Sequence, residues 1–337
     1  MAGRALCLFS GGLDSLLAYH MVRRQGVEMQ AVWFDMTFQG AHVRMVKEGQ
    51  DRAWLEAEFE RIYGFPVKVI PVWTTFFDAL REPSHGFGDN MNPCIDCKII
   101  MLRQARVHLH EHGYDFIVSG EVLGQRPMSQ NRASLNLIAK EAGVQDVLLR
   151  PLSARHLPAS LAEEKGFVRR EELGEIRGRS RKPQMALAAE YGITSYPQPA
   201  GGCLLTEPRF CDRLGDHLRR GGVLDETTSA MITTGRHFRL ATGAKLICGR
   251  DLADNTYLER VAAGHILIQP LGPPGPTALL DATPAGEAAV AEACGVVGRY
   301  IIRAEGPFTF EVRGPDGRKM TVTAAGADPG LVERMMI

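Results

Sequence analysis

The sequence carries no excess of either charge: 39 Lys and Arg stand against 39 Asp and Glu in 337 residues. A chain with no net charge gives nucleic acid no whole-surface attraction, so such a partner must be met by a local patch. No hydrophobic run approaches the roughly 20 apolar residues of a membrane span, so no membrane role is expected. The start, Met1-Ala2-Gly3-Arg4, leads directly into a core strand and is too short for an export signal. A cytoplasmic chain with reduced thiols is therefore expected. The run Gly-x-x-x-x-Gly-Lys-Ser/Thr is absent, which excludes a Walker loop. Position 2 is Ala rather than Cys, which excludes an N-terminal-nucleophile glutaminase. There is no internal repeat of fixed period.

Strand-like and helix-like segments alternate over residues 1–150. Strands are expected at Ala5–Phe9, Glu28–Phe34, Val67–Val72 and Phe116–Ser119. Helices are expected from Leu13 to about Gln25, over Met45–Tyr63 and over Cys97–His112. This alternation predicts an α/β fold, a Rossmann-like parallel sheet with helices on both faces. A helix is expected over Lys182–Tyr191. Beyond about Glu207 the pattern turns short and β-like, at Lys245–Cys248, His265–Gln269, Tyr300–Ala304, Phe308–Val312 and Lys319–Val322. Leu271–Pro276 reads as a Gly/Pro linker. The C-terminal part is thus expected to be a smaller α+β domain, with domains at 1–206 and 207–337.

Ser10-Gly11-Gly12-Leu13-Asp14-Ser15 joins the first strand to the first helix. Glycines there let the backbone approach an anion, and the free N–H groups of the helix start favour negative charge. Ser10 and Ser15 add hydroxyl donors. A bare Asp14 would repel phosphate, so its natural use is to hold Mg²⁺ between phosphates. The hexapeptide resembles the PP-loop of the ATP pyrophosphatase superfamily, with signature Ser-Gly-Gly-x-Asp-Ser. The resemblance implies ATP cleavage between the α and β phosphates, with AMP passing to a substrate carbonyl oxygen. It also implies that the chain after the second strand, Trp33, Phe34 and Asp35, receives the adenine. The alternative for Trp33 and Phe34 is core packing.

Asn92-Pro93-Cys94-Ile95-Asp96-Cys97-Lys98 holds a Cys-x-x-Cys loop, which can bind metal, form a redox disulfide or hold a cluster. Cys97 falls at the start of the expected helix, where the dipole would lower its pKa. Cys203 follows Gly201 and Gly202 after a Pro-rich approach, which suggests an exposed thiol. Cys7, Cys248 and Cys294 sit in apolar runs and read as core, and Cys211 reads as structural. Structural zinc wants four ligands, and only His85 or Cys211 is available to join Cys94, Cys97 and Cys203. Three thiols suit a [4Fe–4S] cluster with one open iron, or a sulfur relay in which one thiol carries a persulfide and another resolves it.

Gly120-Glu121-Val122-Leu123-Gly124-Gln125, the following Ser129-Gln130, and Arg150-Pro151-Leu152 look like the PP-loop domain of tRNA 4-thiouridine synthases. Asn-Pro-Cys-x-x-Cys also resembles the catalytic loop of tRNA 2-thiouridylases. Together these resemblances cover about residues 4–205. By position they imply ATP and Mg²⁺ binding at Ser10, Gly11, Gly12, Asp14 and Ser15, and nucleotide-side loop positions for Gly120 and Gln125. They put sulfur handling on Cys94 and Cys203. The RNA-binding region that precedes the PP-loop domain in 4-thiouridine synthases has no counterpart before the first strand. The stretch Gln125–Ser129 also departs from that family. The segments Thr234–Leu240 and Gly249–Asp251 resemble a small RNA-binding domain of ribosome-associated proteins.

Arg177-Gly178-Arg179-Ser180-Arg181-Lys182 concentrates four cations in six residues, which suits phosphate-backbone contact. The expected function is an ATP-dependent tRNA sulfurtransferase that adenylates a uridine carbonyl and replaces its oxygen with sulfur. The expected partners are tRNA and a sulfur donor, either a persulfide carrier or inorganic sulfide, with a homodimer allowed. The alternatives are another PP-loop adenylating enzyme, or a non-catalytic RNA-binding relative.

Overall fold

Ala5, Leu6 and Cys7 of β1 (Arg4–Leu8) are all screened from water. Burial on both sides is what a parallel strand covered by helices requires. The structure is a computed structural model that describes residues 3–196, 203–283, 286–302 and 305–337. In it β1 pairs in parallel with β2 (Glu28–Asp35), which pairs with β3 (Val67–Pro71). On its other side β1 pairs with β4 (Phe116–Ser119), and β4 with the short β5 (Leu148–Leu149). The strand order is β3-β2-β1-β4-β5. The chain leaves β1 in one direction to build β2 and β3, and returns to the other side for β4. That reversal opens a crevice at the carboxyl ends of β1 and β4, where ligands of such sheets bind.

The helices of this half are α1 (Leu13–Arg23), α2 (Gly40–Lys47), α3 (Arg52–Tyr63), α4 (Trp73–Arg81), α5 (Cys94–His112), α6 (Arg132–Ala142), α7 (Leu161–Glu164) and α8 (Lys182–Glu190). Several differ from what the sequence pattern predicts. The helix expected over Met45–Tyr63 is two, because Gly49 takes a φ of 70° and Asp51 starts α3 by accepting from the Trp54 N–H at 2.9 Å. Helices α4, α6 and α7 have no counterpart among the expected elements. Helix α5 begins at Cys94, three residues before the expected start, because Pro93 supplies the N-cap position.

By their contacts, residues up to His42 group with Asp51–Glu207, and Val43–Gln50 group with Pro208–Ile337. The second unit holds α9 (Pro208–Arg219), α10 (Glu226–Thr233), β6 (Arg236–Arg239), β7 (Lys245–Cys248), α11 (Leu252–Arg260), β8 (His265–Leu271), β9 (Ala278–Asp281), α12 (Glu287–Gly298), β10 (Phe308–Arg313), β11 (Lys319–Ala324) and α13 (Pro329–Met335). Its six strands form an antiparallel sheet in the order β11-β10-β8-β9-β7-β6. Alternate residues feed two cores, Leu246, Ile268 and Leu280 with α12 on one face, and Ile247, Leu267 and Leu279 with Tyr257 on the other. Residues 43–50 are tied to this unit by Lys47, whose amine lies 2.5 Å from the buried Asp254 carboxylate.

The Gly/Pro segment Leu271–Pro276 joins β8 to β9, which are antiparallel neighbours with Ile268 opposite Ala278. One C-terminal expectation is corrected. Tyr300–Ile302 forms no strand, and the rest of that expected strand, Arg303 and Ala304, lies outside the described residues. Cys7, Cys248 and Cys294 are fully buried, as their apolar settings predicted.

One close approach fixes the crevice. A Cβ on Gly120, just after β4, would stand 2.7 Å from the Ser15 nitrogen and 2.8 Å from the Asp14 carbonyl carbon. Both are backbone atoms and cannot turn aside. Gly120→Ala should therefore force the two loops apart and cost about 1–3 kcal/mol, as overpacking does. Urea unfolding checks this; an unchanged midpoint would mean that the loops do not touch as described.

Candidate active site

The loop after β1 turns through Gly11, whose φ of 75° suits glycine. Gly12 then serves as N-cap of α1, and no side chain caps the helix there. The first N–H groups of α1 are thus left for a ligand, with the helix dipole behind them. The serines brace the turn: the Ser15 hydroxyl donates to the Gly12 carbonyl at 2.8 Å and lies 3.1 Å from the Ser10 hydroxyl. Tyr63, at the end of α3, donates to the Gly11 carbonyl at 3.3 Å.

Asp14 is held on one oxygen only. Its Oδ2 accepts from the Gln125 amide at 2.7 Å and from the Arg181 guanidinium, while its buried Oδ1 has no partner among the described residues. Gln184 of α8 in turn donates to Gln125 at 3.0 Å. The loop after β4 and the start of α8 therefore converge on the carboxylate expected to hold Mg²⁺. The basic run predicts RNA contact for Arg181, but the structure places it half-buried against Asp14. Arg177, Arg179 and Lys182 are all exposed.

A cavity of about 270 Å³ runs from this loop between Leu8, Trp33, Phe34, Leu102 and Gly120. Trp33 and Phe34 are buried and line it, so they pack in the core and also face this cavity; Trp33 also meets Phe59 edge-on at 5.5 Å. Asp35 departs from the expectation. It is wholly buried, and its carboxylate is taken up by His42 at 2.8 Å and Arg52 at 3.2 Å.

Glu121 joins the two halves of the site. Its carboxylate meets the Lys98 amine at 2.5 Å and the Arg150 guanidinium at 2.8 Å. Burial opposes its ionisation, but the two cations win and hold its pKa down at about 2. Lys98 directly follows Cys97 on α5, so this buried pair ties the cysteine helix to the end of β4. Sequence reasoning missed Lys98 and Arg126, which line both this cavity and the larger one described next. The only signal for Lys98 was its place beside the Cys-x-x-Cys loop.

The larger cavity, about 790 Å³, is lined by Ser10–Asp14 and also by Cys94, Cys97 and Cys203. The Cys203 segment is fastened beside Cys94: Met91 donates to the Leu205 carbonyl at 3.2 Å, and Asn90 to the Thr206 carbonyl at 2.8 Å. Cys203 is exposed, as expected; Gly201 and Gly202 lie outside the described residues. Cys94 occupies the first position of the 19-residue helix α5, where the dipole favours an anion, and its thiol donates to the Ser129 hydroxyl at 3.1 Å. Cys97 is a correction. It lies a full turn into the helix, and burial first, then the neighbouring Cys94 and Cys203, push its thiol pKa up rather than down. Its sulfur rests 3.4 Å from that of Met36.

His85, one of the candidate fourth zinc ligands, is taken up by other groups. His85 is engaged by Asp96 at 3.1 Å and Glu141 at 3.0 Å, with its pKa raised by those carboxylates. Cys211 is buried on α9 of the second unit. Among the described residues, no cysteine belongs to a set of three metal-ligating atoms within 4.8 Å of one another. Zinc with Zn–S near 2.3 Å would need sulfurs about 3.8 Å apart. The arrangement does not fit structural zinc; the wider spread of a cluster, or a thiol relay, is compatible with it.

The second unit has its own cleft, about 1020 Å³, lined by Arg236, Arg250, Arg299 and Tyr300. The Arg236 guanidinium lies over the Tyr300 ring, 4.5 Å from its centre.

Comparison with known proteins follows the same division. Residues 1–156 match the family model described as Thiamine biosynthesis protein (ThiI), and residues 235–330 match the NFACT protein RNA binding domain. The chain is 31% identical over 153 residues to a tRNA sulfurtransferase of Pseudomonas syringae pv. syringae (strain B728a), covering 45% of this chain and 29% of that one. It is 28% identical over 155 residues to a tRNA sulfurtransferase of Desulfurococcus amylolyticus, covering 45% and 30%. The chain thus spans under a third of the length of these relatives. A solved 4-thiouridine synthetase–RNA complex with bound ATP aligns at 22% identity and a TM-score of 0.34, over 58% of this chain and 54% of that one. By the family model and the curated relatives, the first half of this chain is related to PP-loop tRNA thiouridine synthases.

Because the folded pKa of Glu121 is depressed, its ion pairs stabilise the fold above the unfolded carboxylate value. That stability should fade as the pH falls from about 5 towards 2. Glu121→Gln leaves Lys98 and Arg150 without their anion and should cost about 3–5 kcal/mol at pH 7. Urea unfolding of both proteins across this pH range checks it. The gap between them should shrink on acidification, and a pH-independent gap would count against the assignment.

Proposed function

We propose that this chain is an ATP-dependent tRNA sulfurtransferase that adenylates a uridine carbonyl and replaces its oxygen with sulfur. The observation that carries the reading is the cavity shared by Ser10–Asp14 and the three cysteines. Activation and sulfur delivery must act on one carbon, so both sets of groups have to face one space. The tRNA sulfurtransferases that match the same half of the chain support the substrate class.

In the first step the uridine oxygen attacks the α-phosphorus of ATP, the bond to the β-phosphate breaks, and pyrophosphate leaves. The N–H groups at the start of α1 face the charge that builds on the phosphates, on a turn braced by the Ser10 and Ser15 hydroxyls. The orphaned Oδ1 of Asp14 fits a Mg²⁺ ligand; the ion would neutralise the leaving pyrophosphate. Trp33 and Phe34 flank the slot for the base. The target uridine must be unstacked to bring its carbonyl edge into the cavity.

In the second step the terminal sulfur of a persulfide on Cys94 attacks the activated carbon, and AMP leaves with the former carbonyl oxygen. Cys203 then attacks the sulfur–sulfur bond, so the base keeps one sulfur and a Cys94–Cys203 disulfide remains. A dithiol reductant resets the pair, and a persulfide carrier reloads Cys94. Cys94, Cys97 and Cys203 are also the residues that would hold a [4Fe–4S] cluster, which would supply an iron-bound hydrosulfide when inorganic sulfide is the donor. The tRNA is met by Arg177, Arg179 and Lys182, and by the arginine-lined cleft within residues 235–330. Activity in the cytoplasm, where thiols stay reduced, completes the reading.

ATP–pyrophosphate exchange with added tRNA separates the two steps. Asp14→Ala should lower exchange by about 10²–10³-fold. Cys94→Ser and Cys203→Ser should leave exchange within about twofold while thiolation falls by about 10³-fold or more. Exchange without tRNA would move the reading to a small-molecule ligase, and thiolation surviving both cysteine changes would refute it. Replacing Arg177, Arg179 and Lys182 together by Ala should reduce the slope of log affinity against log salt by about 0.7–0.9 for each phosphate no longer neutralised. A filter-binding titration over salt reads this directly, and an unchanged slope would remove these residues from the interface.

A further inference from the structure

The second unit contains a charged pocket that sulfur transfer does not use. It lies at the opposite end of the β6–β7 pair from Arg236. Arg239 stands opposite Lys245 in the β6–β7 register, and His265 opposite Asp281 in the β8–β9 register. The β7–β9 register, with Leu246 opposite Leu280, brings Lys245 and Asp281 side by side. One polar row therefore crosses four adjacent strands, on the face that carries Ile247, Leu267 and Leu279 into an apolar core. Helix α9 and the residue after it add Asp216, His217 and Arg220, and the enclosed volume is about 270 Å³.

The cations outweigh their partners. Asp216 serves Arg239, Lys245 at 3.4 Å and Arg220 at 3.3 Å. Asp281 has His265 as its ion-pair partner, at 3.6 Å. Arg239 also donates to the Gly243 carbonyl at 2.8 Å, and its buried Nε has no partner among the described residues. Lys245 is only 8% exposed. Burial pulls its amine below the usual lysine value, even though Asp216 opposes this. A buried donor left unmade costs about 1–3 kcal/mol, and a row of apolar residues would have avoided it. A guanidinium fork and an amine converging on a space of this size match a tetrahedral oxyanion.

We infer that this pocket binds a phosphate group, held by Arg220, Arg239 and Lys245, either free or as part of an RNA chain. A carboxylate would leave donors unused, whereas a phosphate offers oxygens to all three. Arg220 is more than half exposed, with its side chain at 57%, so it can be changed without disturbing the core. Asp216 competes with the ligand for the same cations, so its neutralisation should strengthen phosphate binding rather than weaken it.

The test uses the full chain with its nucleotide loop saturated by a non-hydrolysable ATP analogue. Equilibrium dialysis then measures radiolabelled inorganic phosphate, and a parallel arm measures a short RNA oligonucleotide. One phosphate per chain is expected, about tenfold weaker in Arg220→Ala and severalfold tighter in Asp216→Asn. If only the RNA follows this pattern, the phosphate comes from RNA and the site stands. If neither probe responds to Arg220→Ala, or Asp216→Asn does not tighten either, the charges serve the fold alone and the inference is wrong. At saturating tRNA, where affinity no longer limits the rate, ATP–pyrophosphate exchange should be unchanged in both variants, which keeps this site separate from the catalytic reading.

Discussion

A buried carboxylate holds the first half of this molecule to its chemistry. Glu121 follows the strand whose end abuts the Ser10–Ser15 loop, and it binds Lys98 on the helix that starts at Cys94. Arg150, after β5, closes on its other oxygen. Three separate chain segments thus meet at one charge. A buried ion pair seldom adds stability over apolar packing of the same volume. Its use here is positional, since it ties the cysteine helix to the end of the strand beside the Ser10–Ser15 turn. Without that tie the two groups of residues would share a fold but not a geometry.

The sheet edge explains why the remaining residues gather where they do. Reversal of chain direction at β1 and β4 leaves their carboxyl ends side by side. The glycine turn leaves one strand, and Gly120 leaves the other close enough that no Cβ fits. Helix α5 then delivers Cys94 and Cys97, and the segment after α8 returns Cys203 to the same cavity. Arg181, on that same return path, reaches Asp14. Arg181, which meets Asp14, and Cys203, which lines the cavity, thus lie 22 residues apart in the chain.

Much of this was legible in the sequence, for identifiable reasons. The alternation of strand and helix gave the sheet, and Ser10–Ser15 gave the glycine turn with its open helix start, because both rest on local spacing. Apolar settings correctly placed Cys7, Cys248 and Cys294 in the core. What was missed depends on tertiary partners. Arg181 reads as one more cation in a basic run until its contact with Asp14 is seen. Asp35 reads as a ligand residue until His42 and Arg52 are found around it. Cys97 reads as a helix-start thiol until Pro93 moves the start to Cys94. The α2–α3 break was hidden because the charged amphipathic pattern continues across Gly49.

The decisive measurement is nucleoside mass spectrometry of tRNA from cells with and without the gene for this chain. Loss of one thiouridine on deletion, restored by the intact chain and not by Cys94→Ser, is the predicted result. An unchanged set of thiolated nucleosides in the deletion strain would contradict the central claim, that the loop and the cysteines act together on a tRNA uridine.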